Sequence, residues 1–124
     1  MIFGIGTDII ETEQFGSAAA RGRQYLQTLF TPKEIEYCES KARAAQHYAV
    51  RYAAKQATLK ALSAVSIRGP ALCDIEIVDD ERGMPEVFVY GRVKALFEEH
   101  HISRASVALS HCKDNAVAVV ILEK

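Results

Sequence analysis

The sequence predicts an α+β domain, with a small mixed or antiparallel sheet packed against one long central helix and shorter helices. Three stretches lead there. Gln46 to Ser63 (QHYAVRYAAKQATLKALS) has no Gly or Pro and is rich in Ala and Leu, which marks a long helix. Leu72 to Val78 and Glu86 to Tyr90 flank the polar turn Asp79 to Pro85, as the two strands of a hairpin do. Ala116 to Leu122 (AVAVVIL) is a continuous apolar run rich in β-branched residues, the pattern of a strand covered on both faces.

Taken in order, Met1 to Gly6 is a short strand that enters a polar turn at Thr7-Asp8. Glu11 follows Asp8 at capping-box spacing, so one role for Asp8 is a helix N-cap. The other role is a metal ligand, because a carboxylate at the C-terminal end of a strand is well placed to hold a cation. Gly16 to Gly22 is a weak or broken helix, and Arg21 and Arg23 precede the short apolar run Tyr25 to Phe30. Thr31-Pro32-Lys33-Glu34 combines an N-cap Thr, a Pro at the first helical position and a Glu at the third. A helix therefore starts there and runs to about Ser40, with Lys41 to Arg43 as a basic junction.

The long helix has a buried side in Ala45, Ala49, Tyr52, Ala53, Leu59 and Leu62, yet it also carries Arg51, Lys55 and Lys60. At three- and four-residue spacing Arg51 neighbours Lys55, and Gln56 neighbours Lys60. Either the long stems cover apolar surface while their charges reach water, or the cations converge on an anion. Breakers at Ser66 to Pro70 end the segment. In the hairpin that follows, alternation puts Cys73, Ile75 and Ile77 on one face. Gly91 to Ile102 is a short helix with Val93, Leu96 and Phe97 inward, Ala105 to Ser110 is a further strand, and His111 to Asn115 is a turn.

A chain of 124 residues makes one domain, 1–124, with room for a real core. A formal net charge of −1 gives no global pull toward nucleic acid or an anionic membrane, so any anion site is a local patch. Three cysteines without CxxC spacing argue against a disulfide framework or structural zinc and for a reducing compartment. The first residues lack a basic signal-peptide region, and no apolar run reaches membrane-spanning length; the expected address is cytoplasmic.

Four segments together carry a resemblance: GIGTDIIETE, RYAAKQATLKAL, DIEIVDDERGMP and VALSHCKDNAVAVVILE. Their order and spacing are similar to those of the holo-acyl-carrier-protein synthases, from about Met1 to Glu123. The resemblance implies a transferase that moves the 4′-phosphopantetheine arm of coenzyme A onto a serine of an apo acyl carrier protein, in fatty acid biosynthesis, and releases adenosine 3′,5′-bisphosphate. It also implies a homotrimer with active sites between subunits and magnesium (Mg2+) on the pyrophosphate. Asp8 matches the first metal-binding Asp, Arg51 the basic residue before the K-E-A-x-x-K box, Lys55 and Lys60 the two lysines of that box, and His111 the His near the phosphates. The resemblance thus implies catalytic roles for Asp8, Lys60 and His111, and coenzyme A binding by Arg51, Lys55, Lys60 and His111; basic loop residues such as Arg68 could hold part of the nucleotide.

One position departs from the pattern in a way that bears on charge. The family's second magnesium ligand is the Glu of K-E-A, and this chain has Gln56 there. An amide oxygen can still ligate magnesium, but the site loses one negative charge and a route for activating the attacking serine through bound water. Gln14, Val50, Tyr52, Ser63 and Ala108 are smaller departures. Two readings follow: a working transferase whose metal site is Asp8 and Gln56, and a non-catalytic or weakly active relative that binds coenzyme A or a carrier protein.

Overall fold

The computed structural model describes residues 1–16, 21–63 and 69–124; Arg68, a candidate nucleotide contact, lies outside the described residues. The first strand, β1 (Ile2–Glu11), runs straight through the turn expected at Thr7-Asp8. The reason is tertiary. From Gly4 to Glu11 every residue of β1 pairs with β5 (Asn115–Glu123), and the Thr7 hydroxyl donates to Ala118 O at 3.0 Å. Asp8 sits opposite Ala118 in mid-strand, so it caps no helix.

Helices α1 (Glu13–Gly16) and α2 (Arg23–Gln27) are short. Helix α3 (Pro32–Glu39) starts where its capping box predicts: Glu34 N donates to the Thr31 hydroxyl at 3.3 Å, and Thr31 N donates to Glu34 Oε1 at 2.9 Å. Helix α4 (Ala44–Ala61) is the long helix. Just beyond it Ser63 takes φ 57°, the left-handed conformation that favours Gly at a helix end. A 3-10 turn (Gly69–Leu72) leads to β2 (Ile75–Asp79), β3 (Pro85–Val89), α5 (Gly91–Glu99) and β4 (Arg104–His111). The sheets are antiparallel, one ordered β1-β5-β4 and the other the β2-β3 hairpin. Cys73 precedes β2 rather than sharing its buried face; Ile75 and Ile77 are buried as expected.

The strand expected to be covered on both faces is covered on one. Along β5, Ala116, Ala118, Val120 and Leu122 are fully buried, whereas Val117, Val119 and Ile121 are half-buried. On β1 the partners of Ile121 and Val117 are Ile5 and Ile9, which are 60% and 64% exposed. Among the described residues, helix therefore covers one side of the three-stranded sheet and an apolar face is left on the other.

Helix α4 joins two cores. Its first half packs Tyr48, Ala49 and Val50 against Phe15, Phe30 and Ile35. Its second half packs Ala57, Ala61 and Leu62 with the β5 side chains and with Ile75, Ile77 and Val93. Lys55 lies between them, with its side chain fully buried. Its ammonium pairs with Glu34 at 2.5 Å and donates to Leu29 O and Leu72 O at 2.8 and 2.9 Å. Glu34 in turn accepts from Thr31 N and from Ile77 N. Burial pushes the Glu34 carboxyl up and the Lys55 ammonium down, and each charge opposes the shift of the other. Every partner of the carboxylate is a donor and every partner of the ammonium an acceptor, an arrangement that suits the ionised pair.

This pair sets a stability test. Lys55→Met removes one charge and leaves Glu34 buried without its counter-ion, which costs about 3–5 kcal/mol. Lys60→Met, at a half-exposed ion pair, costs no more than about 1 kcal/mol. Denaturant unfolding of both variants should separate them; equal losses would mean that the Lys55 pair does not anchor the core.

Candidate functional site

The corner where β1 meets α4 is built by two glycines. A Cβ at Gly4 would overlap the Ala61 carbonyl, and one at Gly6 the Ala57 carbonyl, so strand and helix touch backbone to backbone. Alternation puts Asp8 on the same helix-facing side as Gly4 and Gly6. There Lys60 Nζ donates to Asp8 Oδ1 at 2.9 Å and to Thr7 O at 3.1 Å. The Asp8 side chain is 15% exposed and that of Lys60 48%. Gln56, one turn before Lys60, is partly buried on the same helical stripe.

A magnesium ion fits this donor set in one particular way. Among the described residues no three His, Cys, Asp or Glu side chains cluster as a metal cage. Magnesium commonly binds through one or two carboxylates, with substrate phosphates and waters completing its shell. Asp8 offers a carboxylate in partial contact with solvent, and Gln56 offers a neutral amide oxygen.

A second group lies elsewhere on α4. At about 100° per residue, Arg51 and Lys60 point roughly 180° apart around the helix. Arg51 opens on a cleft of about 430 Å³ that is also lined by Tyr37, His47, Asp79, Met84 and His111. Its guanidinium lies 4.1 Å from the centre of the Tyr37 ring. Its side chain is only 3% exposed, its contact with Asp79 is long at 3.8 Å, and its Nε is buried with no hydrogen-bond partner. Asp79 is shared, since the Tyr37 hydroxyl donates to the same carboxylate oxygen at 3.1 Å. The last residue of β4, His111, reaches Gln46 Oε1 through Nδ1 at 3.2 Å. Its ring stands 5.4 Å from that of His47.

Asp8 and Lys60 are thus brought together, as are Arg51 and His111, but the two pairs are on different faces of α4. Lys55, expected to hold the cofactor, is instead a core residue: its three protons have acceptors within the protein, and nothing is left to offer a ligand. Sequence reasoning passed over His47 and Tyr37. The available sign was the spacing of His47, one helical turn before Arg51.

Comparison with known proteins gives the family. A profile of the 4′-phosphopantetheinyl transferase superfamily matches residues 4–120. The chain is 44% identical to the holo-(acyl-carrier-protein) synthase of Geobacter sulfurreducens, over 100% of this chain and 99% of that one. Among solved structures it resembles holo-(acyl-carrier-protein) synthase from Neisseria meningitidis, with TM-score 0.85, 33% identity and full coverage of both chains. It also resembles the Helicobacter pylori enzyme in complex with coenzyme A, with TM-score 0.80 and 27% identity over 96% of this chain and 99% of that one. A match across nearly the whole chain, on a fold that places Asp8 against Lys60 and opens a cleft at Arg51, makes this chain a member of the 4′-phosphopantetheinyl transferase superfamily.

Proposed function

We propose that the chain is a holo-acyl-carrier-protein synthase. It transfers the 4′-phosphopantetheine arm of coenzyme A to a serine hydroxyl of an apo acyl carrier protein and releases adenosine 3′,5′-bisphosphate. The observation that carries the residue assignment is Arg51, a guanidinium almost wholly buried at the wall of a cleft with its Nε unpartnered. A phosphate oxygen supplies what that donor lacks.

The chemistry divides between the two groups. Bound between Asp8, Gln56 and the pyrophosphate, magnesium would neutralise charge that builds on the phosphate oxygens. Arg51 and His111 grip a phosphate of the nucleotide and orient coenzyme A. Lys60, held beside Asp8, is free enough to swing onto a pyrophosphate oxygen. The carrier serine oxygen bonds to the phosphorus that bears the pantetheine arm, and the bond from that phosphorus to the bridging oxygen breaks. Because Arg51 and Lys60 face opposite sides of α4, a complete site draws them from neighbouring copies of the chain. The apolar outer face formed by Ile5, Ile9, Val117, Val119 and Ile121 favours such an assembly, a homotrimer.

A non-catalytic binder is the less favoured reading, since relatives named for the enzyme span the whole chain. Cys38, Cys73 and Cys112 are free, which suits a reducing cytoplasm, and an acyl carrier protein as substrate suits a place in fatty acid biosynthesis. Among the described residues no helix is long and apolar enough to cross a membrane.

Three outcomes test this reading. Sedimentation equilibrium at micromolar concentration should give a trimer, and a monomer would refute the assembly. Asp8→Ala should abolish magnesium-dependent transfer from coenzyme A to an apo carrier. It should shift stability by no more than about 1 kcal/mol, because Asp8 loses only a half-exposed partner. Gln56→Glu adds a carboxylate one turn before Lys60, a favourable arrangement on a helix. It should lower the magnesium concentration for half-maximal transfer; an unchanged requirement would mean that position 56 does not touch the metal.

A further inference from the structure

We propose that His47 is a further nucleotide-binding residue, a proton-coupled contact to the phosphate that enters the cleft beside Arg51 and His111. The proposal rests on the reading above, that this cleft receives the phosphate-bearing nucleotide of coenzyme A.

The geometry comes first. His47 and Arg51 are one turn apart on α4, and both line the cleft. Tyr37 serves both, with its ring edge-on to His47 at 5.7 Å and against the Arg51 guanidinium at 4.1 Å. On the other side the His111 ring stands 5.4 Å away. His47 therefore contacts two aromatic rings, is partly buried, and lies one turn from a guanidinium whose Nε has no hydrogen-bond partner among the described residues.

Packing alone asks only for an aromatic ring at position 47; a titratable ring adds a charge that depends on what occupies the cleft. The charged groups facing His47 are Arg51 from α4, His111 from β4, Lys41 just beyond α3, and Asp79 from β2. Burial, then Arg51, His111 and Lys41, hold the His47 pKa below the ordinary histidine value, against the pull of Asp79. These groups favour the neutral imidazole at His47. A phosphate dianion at Arg51 reverses the local sign and favours imidazolium. Binding then takes up a proton at His47, and the new N–H has a phosphate to face. The sign follows: the pKa is higher in the complex than in the free protein. Affinity strengthens as pH falls through the complex's pKa and levels off below the free protein's.

The test is calorimetric titration of the full chain with adenosine 3′,5′-bisphosphate, in buffers of different ionisation enthalpy, between pH 6 and 8. Wild type should take up more protons on binding than a variant without a titratable ring at position 47, and its affinity relative to that variant should rise toward pH 6. His47→Phe, which keeps the aromatic contacts, should still bind but with reduced proton uptake. The phosphate, whose own second pKa is about 6, binds as the dianion and releases protons toward pH 6, a contribution common to wild type and both variants. One linked proton changes affinity by at most about tenfold per pH unit, and that is the ceiling on the slope lost. His47→Gln, polar but not titratable, should behave as His47→Phe does. Adenosine 5′-monophosphate as a second probe assigns the contact: uptake kept with it points to the 5′-phosphate, uptake lost to the 3′-phosphate, and either supports the proposal. Equal uptake in wild type and both variants would overturn the role of His47 while leaving the cleft as a nucleotide site. Failure of wild type to bind adenosine 3′,5′-bisphosphate would overturn both.

Discussion

The backbone contact between β1 and α4 is the constraint on which the rest depends. Two glycines, Gly4 and Gly6, let the strand lie directly on the carbonyls of Ala61 and Ala57. With side chains there the strand would stand off the helix, and Asp8 would no longer meet Lys60. The same contact brings Ala118, Val120 and Leu122 of β5 under the helix, because β1 and β5 share a register from Gly4 to Glu11. One close approach thus positions a carboxylate, a cation and a core.

The opposite side of α4 is held by charge rather than by close approach. Lys55 and Glu34 are buried together, and their hydrogen bonds reach the segment before α3, the α3 cap, the 3-10 turn and β2. A buried ion pair is weak support for stability in itself, since desolvation offsets most of the attraction. What this pair adds is direction: four acceptors and donors from separate segments converge on it and leave none of its own groups unmet. Arg51, one turn earlier, shows the contrast. It is nearly as buried, but its partners are a long contact to a shared carboxylate and an aromatic face, and its Nε has none. Equal burial with unequal satisfaction separates the lysine, whose donors are all met, from the arginine, whose Nε is not.

Much of the fold was legible in the sequence because its signals are local. The Thr31 capping box, the Ala- and Leu-rich helix and the hairpin with its polar turn depend on residues close in the chain, and each appears within a few residues of its expected bounds. The extent of β1 was not legible. Thr7 and Asp8 favour a turn by themselves, and only pairing with Val119 and Ala118 keeps them extended. Nor could the apolar run of β5 reveal that one of its faces is only half-buried among the described residues.

The candidate site divides in the same way. By itself the sequence determined the element order and the long helix, because these follow from local propensity and spacing, and its motifs carried the resemblance to a phosphopantetheinyl transferase, with Gln56 as a departure from the family's pattern. Only the tertiary structure decided what each cation on α4 does. Lys55, Arg51 and Lys60 look alike along the chain, yet one is satisfied in the core, one faces a cleft with a donor unmet, and one pairs with Asp8 at the surface. The physical reason is that a charge acquires its role from its partners and its solvation, and both are supplied by segments far away in sequence.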